Sequence, residues 1–322
     1  RTKRKRRQGL LEAYLNILVI FAVMLVGYVL TWRKWFDNHI ADVFSKLVLN
    51  IALPLNMFLN MTERFTKAEF LELFRGILLP ALSIVITYLI SIGYAKLIKV
   101  PIGRQGAFRV MFTASNTIFM GLPVNIAVFG EKAIPYALLY YICNTTFFFT
   151  IGIYLIQRDN LTAHHTPPSF SFRFIVRKLL SPALLGFFIG LCWMLLEIPL
   201  AAPLRDFAHY LSQLTTPLSL FVIGIIIYQT GLKNLTLDKD TIGVLVGRYL
   251  VSPLVIILLS KVIPVPTLML NVFILQSAMP VQNSMPILAK GYGADETFAT
   301  SSLVYSIVGY LFVILVLLQV IY

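Results

Sequence analysis

Ten apolar runs, each long enough to cross a lipid bilayer as a helix, dominate the 322-residue sequence. About 20 consecutive apolar residues span the hydrocarbon core as an α-helix. Runs of this kind occur at residues 11–31, 40–61, 74–98, 107–130, 133–156, 177–196, 208–231, 241–263, 267–289 and 298–320. Because backbone groups in lipid must be hydrogen-bonded within the protein, these runs predict an all-α integral membrane protein with ten transmembrane helices.

The composition agrees with this prediction and argues against the soluble classes. Hydrophobic residues make up 58% of the chain and charged residues 13%, whereas a soluble domain is about 45–50% apolar and about 25% charged. The net charge of +13 does not indicate a surface for nucleic acid, because the cations lie in short stretches between the apolar runs. Cations in such loops are typical of the positive-inside rule.

No pattern in the sequence predicts a cofactor, a metal site or catalysis. Cys143 and Cys192 both lie inside apolar runs and lack the spacing of a zinc or redox motif. The pair His164 and His165 lies in a polar stretch with no further ligand nearby, so we interpret it as part of a solvated loop. There is no nucleophile–base pair and no phosphate loop, and we therefore expect that the protein is not an enzyme.

An internal repeat relates the two halves of the sequence. Adding 163 to a position places Gly27 on Gly190, Pro54 on Pro217, Pro101 on Pro264, Pro123 on Pro286 and Gly130 on Gly293. Each half holds five apolar runs, an odd number, so the halves must have opposite orientations in the membrane. We predict inverted repeats at 11–156 and 177–322, a polar linker at 157–176 and a basic leader at 1–10. Inverted repeats are typical of secondary transporters.

The distribution of Lys and Arg predicts the orientation of the chain. The loops after the first, third, fifth, seventh and ninth runs hold more of these cations than the loops on the other face. The positive-inside rule then places the linker at 157–176 in the cytoplasm and both termini outside. The leader "RTKRKRR" argues for the opposite orientation. Because the chain begins without Met, we expect this leader to be the edge of a truncation or an added segment.

Two corresponding runs carry helix breakers together with amides. The fourth run contains "SNTIFMGLPVNIAVFG", in which Asn116 precedes a break predicted at Gly121 and Pro123. In the ninth run, "SAMPVQNSMPILAKGYG", the prolines at 280 and 286 bracket three polar residues; these five are Pro280, Gln282, Asn283, Ser284 and Pro286. An ordinary proline kink explains either run alone. A matched pair of interrupted helices instead indicates a binding site near the bilayer midplane.

The residue types at these breaks suit a small organic anion. Half-helices that begin near Val124 and Ile287 would present free N–H groups and a positive dipole end. The amides of Asn116 and Asn283 would add donors for a carboxylate, and Gln282 and Ser284 would complete the substrate contacts. Asn125 has no counterpart in the ninth run, and a structural cap is the role that we expect for it.

Few charged residues lie inside the runs. The fourth, fifth, ninth and tenth runs contain no Asp or Glu apart from Glu131 and Glu296 at their ends, which disfavours an antiporter that carries protons or sodium on a buried carboxylate. Arg248 is the only Arg well inside a run. It either compensates the charge of a substrate or pairs with a carbonyl or snorkels to the interface, and the sequence leaves these alternatives open.

Three segments of the chain resemble the auxin efflux carrier family. They are "KLVLNIALPLNMF" (Lys46 to Phe58), "SNTIFMGLPV" (Ser115 to Val124) and "MPVQNSMPILAKGYGAD" (Met279 to Asp295). The most specific element is "NTIFMGLP", which begins at Asn116. The family includes plant auxin exporters and bacterial malate and malonate permeases, and the similarity covers essentially the whole chain.

The resemblance implies a fold in which the fourth and ninth helices cross at Pro123 and Pro286. It also implies that Asn116 is the carboxylate-binding Asn of the fourth span. Spans one, two, six and seven would form a scaffold that pairs two copies of the chain, and spans three to five and eight to ten would form a mobile transport unit. Plant members have a shorter spacing between the prolines of the ninth span, which leaves open whether Gln282 or Asn283 is the equivalent amide.

These observations predict a secondary transporter in the cell membrane for a small organic carboxylate, working by alternating access of the elevator type. Its expected partners are this anion and membrane lipid. Export driven by the membrane potential and uptake coupled to a proton or sodium ion are both open. A ligand sensor embedded in the membrane is a further alternative. A channel is disfavoured, because the polar residues cluster at two breaks and do not form a continuous lining.

Overall fold

The computed structural model describes residues 2–64, 74, 76–160, 182–231 and 235–321, and these residues contain helices and no β-strand. The described part of the chain is therefore all-α, as the sequence predicts. The linker from residue 161 onward, with His164 and His165, lies outside the described residues. The same holds for the side chains of the basic leader at 1–10.

Eight described helices are long and apolar enough to cross a membrane. They are Leu11–Trp32, Asn38–Glu63, Leu78–Leu97, Ile102–Phe129, Glu131–Arg158, Ala202–Thr230, Lys239–Leu259 and Glu296–Ile321. The sixth and ninth predicted runs contain shorter apolar helices, at Leu185–Leu195 and Thr267–Ser277. The structure does not describe the first residues of the sixth run, and non-helical residues interrupt the ninth run in its middle.

The α-helices are numbered here along the chain. They are α1 (Thr2–Trp32), α2 (Asn38–Leu47), α3 (Leu53–Arg64), α4 (Leu78–Leu97), α5 (Gln105–Thr113), α6 (Leu122–Phe129), α7 (Ile134–Phe147), α8 (Ile153–Arg158), α9 (Pro182–Leu195), α10 (Ala202–Ser212), α11 (Thr215–Thr230), α12 (Lys239–Val246), α13 (Ser252–Leu259), α14 (Thr267–Ser277), α15 (Met285–Tyr292) and α16 (Glu296–Ile321). Short π-helical turns adjoin them at Val48–Ala52, Thr117–Gly121, Phe148–Gly152 and Gly247–Val251.

The chain forms two compact units, and neither is continuous in sequence. The first unit comprises Arg1–Gly76, Ile118–Leu139 and Arg177–Gln229; the second comprises Ile77–Thr117, Tyr140–Val176 and Thr230–Tyr322. The chain therefore leaves the second unit inside the fourth predicted run and returns to it inside the fifth.

Helices of the first unit approach one another closely at glycines. Gly27 of α1 faces α11, where a Cβ on this glycine would lie 2.8 Å from the carbonyl oxygen of Phe221. Gly190 of α9 faces α3, where a Cβ would lie 2.9 Å from the carbonyl oxygen of Phe58. Small residues permit such approach in a membrane, where van der Waals packing drives helix association. The offset of 163 residues maps the pair Gly27 and Phe58 onto Gly190 and Phe221.

An ion-pair cluster ties three parts of the second unit together. Arg104 donates from Nε to Asp295 at 2.6 Å, and from Nη1 to Asp238 at 2.7 Å and to Asp240 at 3.4 Å. Asp238 and Asp295 also accept from backbone N–H groups in the first turns of α12 and α16. Partial burial favours a higher pKa for Asp238. The hydrogen bonds from the backbone N–H in α12 and from Arg104 outweigh this effect and hold the pKa of Asp238 below its ordinary value.

Gly224 of α11 gives a direct test of the packing in the first unit. A Cβ at this position would lie 2.1 Å from the carbonyl oxygen of Met24 in α1, so Gly224→Ala should force the two helices apart and cost about 1–3 kcal/mol. Thermal unfolding in detergent should show a lower Tm. Gly93→Ala in α4 is the matched control, since nothing lies within 4 Å of its Cβ. Equal Tm values for the two variants would contradict the close approach.

Candidate functional site

The fourth predicted run is interrupted next to Asn116. α5 ends at Thr113, residues 114–116 are non-helical, and the π-helical turn from Thr117 leads directly into α6. Gly121 and Pro123, where the sequence predicts the break, occupy the junction between this turn and α6. Pro123 is the second residue of α6 and the seventh of the continuous helical segment that begins at Thr117, so its missing N–H falls at the junction between the π-helical turn and α6. The non-helical residues therefore lie on the N-terminal side of Gly121 and Pro123, the residues at which the sequence predicts the break.

The ninth predicted run is interrupted at its polar residues. α14 ends at Ser277, α15 begins at Met285, and residues 278–284 between them are non-helical. This segment contains Pro280 and the polar residues Gln282, Asn283 and Ser284, whereas Pro286 lies in the first turn of α15. The interruption thus lies between the two prolines, where the sequence predicts it.

The two non-helical segments contact each other within the second unit. The backbone N–H of Asn116 donates to the carbonyl oxygen of Pro280 at 2.9 Å, and Asn116 Nδ2 donates to Asn283 Oδ1 at 2.6 Å. Next to them, Ser115 Oγ donates to the carbonyl oxygen of Gln276 at 2.9 Å. Two amides that the sequence singles out in opposite halves of the chain are therefore in direct contact.

Side chains from two neighbouring helices satisfy backbone groups that the interruptions leave free. Asn144 of α7 accepts from the Ser115 N–H at 2.9 Å and donates to the Ser115 carbonyl oxygen at 3.0 Å. Ser306 of α16 accepts from the Val281 N–H at 3.0 Å. An unpaired backbone group at bilayer depth costs several kcal/mol, so these bonds stabilise the non-helical segments. Sequence reasoning missed both residues; the amide of Asn144 inside an apolar run was the available signal.

Polar atoms at the ninth-run interruption lack a hydrogen-bond partner among the described residues. They are Gln282 Oε1, Asn283 Nδ2 and Ser284 Oγ. A buried polar atom left unpaired costs about 1–3 kcal/mol, and in a native protein such a group calls for a specific explanation. Their location beside the contact between Asn116 and Asn283 makes this segment the candidate binding site.

Arg248 lies beside both interruptions and is 0% exposed. Its guanidinium donates to the carbonyl oxygen of Thr113 at 2.5 Å, of Met279 at 3.1 Å and of Phe112 at 3.3 Å, and also to that of Ser277. Pairing with carbonyls is one of the alternatives that the sequence leaves open. Snorkelling to the interface does not apply to a side chain this deeply buried.

Two other expectations from the sequence bear on the site. Asn125 is buried in the first unit and donates to the carbonyl oxygen of Gly121 at 2.7 Å. This bond joins residues four apart in one helical segment and does not cap a helix end. Within the part of the chain that the structure describes, no group of three or more His, Cys, Asp or Glu is arranged to hold a metal ion.

Asp159 stabilises the start of the helix that leads into the first interruption. Its two carboxylate oxygens accept from the N–H groups of Gly106 and Ala107, in the first turn of α5, at 2.8 Å and 2.7 Å. Asp159 is 3% exposed. This burial raises the pKa of Asp159 to about 6, although the two hydrogen bonds oppose the shift.

Taken together, the fold and the site define a helical, multi-pass membrane protein with polar, interrupted segments in contact among its helices. A family model described as "Membrane transport protein" matches residues 13–318. The chain belongs to this family, the auxin efflux carrier family that its motifs resemble, and it is a membrane transporter.

The chain is similar to several proteins that are described as transporters. Each match covers almost the whole length of both chains. An uncharacterized transporter of Methanothermobacter thermautotrophicus is 24% identical over 91% of this chain and 92% of its own. An uncharacterized transporter of Methanocaldococcus jannaschii is 24% identical over 89% and 92%. The uncharacterized transporter YfdV of Escherichia coli K12 is 22% identical over 92% and 93%.

The raised pKa of Asp159 predicts how stability depends on pH. The folded protein favours the protonated carboxyl, so its contribution is complete below about pH 4 and is lost as the pH rises through about 6. This difference in pKa corresponds to about 3 kcal/mol. The Tm of the wild type should therefore fall relative to that of Asp159→Asn across this range.

Asp238→Asn is the control for this experiment, because the pKa of Asp238 is lowered. The wild type should gain stability relative to this variant as the pH rises through the range where an Asp ordinarily titrates. Parallel curves of Tm against pH for the wild type and Asp159→Asn would contradict the assignment of a buried carboxyl with a raised pKa at this position.

Proposed function

We propose that the protein moves a small organic carboxylate across the membrane by alternating access. The observation that carries the proposal is the hydrogen bond of 2.6 Å between Asn116 and Asn283. Each amide lies in an interruption of a membrane helix, at a depth where polar groups are costly and mark a functional site. The substrate lies in this proposal at the contact between the two non-helical segments.

The chemistry of the segments favours a carboxylate over a cation. Asn283 Nδ2 and Ser284 Oγ are donors without a partner among the described residues, and donors are what a carboxylate oxygen requires. The helical turns that begin at Thr117 and Met285 add positive dipole ends. Each dipole end contributes about 0.3–2 kcal/mol, so we expect modest affinity. In this proposal, Pro286 supports the first turn that begins at Met285, and Pro123 lies at the junction between the π-helical turn and α6.

We infer an elevator mechanism from the division of the chain. The helices of the predicted spans one, two, six and seven belong to the first unit, and those of spans three, eight, nine and ten belong to the second. This grouping supports a scaffold and a mobile unit that carries Asn116 and Asn283. The boundary runs through spans four and five, where residues Ile118–Leu139 belong to the first unit.

The contacts at glycine support the proposed ten-helix arrangement of two inverted repeats. The pair Gly27 and Phe221 and the pair Gly190 and Phe58 exchange places when 163 is added to one member and subtracted from the other. Such an exchange is expected where a pseudo-two-fold axis relates two repeats. The proposed orientation has both termini outside and the linker at 157–176 in the cytoplasm.

The binding site is tested by removing each amide. Asn116→Ala and Asn283→Ala should each abolish the thermal stabilisation that an anion gives the wild type, because each removes donors from the proposed site. The screen uses malate, malonate, succinate, lactate and indole-3-acetate. Asn50→Ala is the matched control, since the Asn50 amide is exposed and donates to the Lys46 carbonyl within its own helix. Wild-type ligand shifts in both site variants would refute the assignment.

Transport itself is tested by counterflow in proteoliposomes with an imposed membrane potential and no ion gradient. A monovalent anion that leaves a negative-inside compartment gains about 2.3 kcal/mol per 100 mV, so we expect movement of the stabilising anion without a coupling ion. A strict requirement for a sodium or pH gradient would replace export with coupled uptake. Stabilisation by an anion without any movement would replace transport with ligand sensing.

A further inference from the structure

Arg248 joins the C-terminal ends of two interrupted helices. Phe112 and Thr113 belong to the last turn of α5, and Ser277 is the last residue of α14. The carbonyls of these three residues and of Met279 all accept from this one guanidinium. The last carbonyls of a helix have no partner within that helix, so Arg248 satisfies groups that would otherwise be unpaired at bilayer depth.

The charges at these helix ends decide what the site can bind. A helix C-terminus is equivalent to about −0.5 elementary charge, so the ends of α5 and α14 together bring about one negative charge to the interruptions. Without compensation, they would oppose the positive ends of the turns that begin at Thr117 and Met285. The single positive charge of Arg248 offsets the two C-terminal ends almost completely and leaves the positive ends available to an anion.

Arg248 differs in its partners from Arg104 of the same unit. Arg104 contacts three aspartates. Arg248 makes no ion pair among the described residues, and its guanidinium donates to the carbonyls named above. A planar guanidinium presents five donors in a rigid fork, which suits contact with two helix ends at once. Gly247 permits this approach, since a Cβ there would lie 2.3 Å from the ring of Phe112.

We propose that Arg248 is a positioning residue that holds the two interruptions together and neutralises their helix C-termini, so that the site prefers anions to neutral molecules of the same shape. In transporters that are coupled to sodium, unwound carbonyls and helix C-termini hold the coupling ion. In this proposal, the guanidinium of Arg248 binds these carbonyls and helix ends in place of an ion. The preference for anions rests on the proposed function, whereas the effect of Arg248 on the interruptions does not.

The first experiment measures hydrogen exchange of backbone amides and needs no ligand. In Arg248→Met, the N–H groups of Ser115, Asn116 and Val281, which are bonded across or beside the interruptions, should exchange at least about tenfold faster, a loss of about 1.4 kcal/mol of local protection. Arg109→Met is the matched control in α5, because the Arg109 guanidinium donates to Gln105. Exchange in this control should match the wild type.

Arg248→Lys separates charge from geometry. A lysine keeps the positive charge but presents three donors on one nitrogen, so exchange at the interruptions should still be faster than in the wild type. If Arg248→Met does not fold, Arg248→Lys still tests the positioning role. Its positive charge still compensates the helix C-termini, so we expect this variant to fold. Unchanged protection at all three amides in either folded variant would overturn the positioning role.

The second experiment compares ligands that differ in charge and match in shape. The probes are indole-3-acetate against indole-3-acetamide and malonate against malonamide, with affinities measured on the full chain in lipid nanodiscs. Arg248→Met should weaken binding of the anion at least about tenfold and change binding of the amide less than about twofold. Arg248→Lys should keep the preference for the anion.

The outcomes of the two experiments are distinguishable. Equal losses for the anion and its amide would show that Arg248 only supports the fold, and would overturn its role in charge preference. If the wild type binds no anion, the proposed function fails for these ligands and the charge preference fails with it. The exchange experiment then still decides whether Arg248 holds the interruptions together.

Discussion

A backbone group inside a bilayer must find its hydrogen-bond partner within the protein, and the whole structure follows from this requirement. The helices of the described residues meet it along most of their length. The two interrupted segments depart from regular helix, and their freed groups are satisfied by one another, by Asn144 and Ser306 and by Arg248. The backbone groups of these two segments need many specific partners within the protein. We therefore assign the function of the transporter to this site.

The electrostatics of the proposed site come mainly from the backbone. Four helix ends converge on the two interruptions, two of them positive and two negative, and one buried guanidinium pairs with the negative ends. This arrangement needs no ionised carboxylate at bilayer depth. In our proposal, it lets a chain whose fourth, fifth, ninth and tenth runs carry acidic residues only at their ends prefer an anion to a neutral molecule of the same shape.

The units of the fold are not the repeats of the sequence. The repeats divide the chain at the linker, whereas each compact unit draws on both halves. Asn116 and Asn283, one from each half, therefore lie in the same unit, while Gly27 and Phe221 form their contact in the other. A binding site built within one unit can move as a body, which is the physical basis for the elevator mechanism that we propose.

The sequence was enough to predict the class of the protein, eight long membrane helices and the interruption of the ninth run. It also singled out Asn116 and Asn283, whose amides are in contact. These follow from hydropathy, from the chemistry of proline and from the rarity of amides in lipid, all of which are local properties.

The remaining features depend on contacts between segments that are distant in the chain. The fourth-run interruption lies at residues 114–116 because Asn116 and Ser115 find partners in Pro280 and Asn144 there. Pro123 lies within the helical segment that follows. The role of Arg248 was equally undetermined, since it depends on carbonyls more than a hundred residues away in the chain as well as nearer ones. Contacts between distant segments leave no pattern in a single sequence, and these contacts fix the geometry of the site.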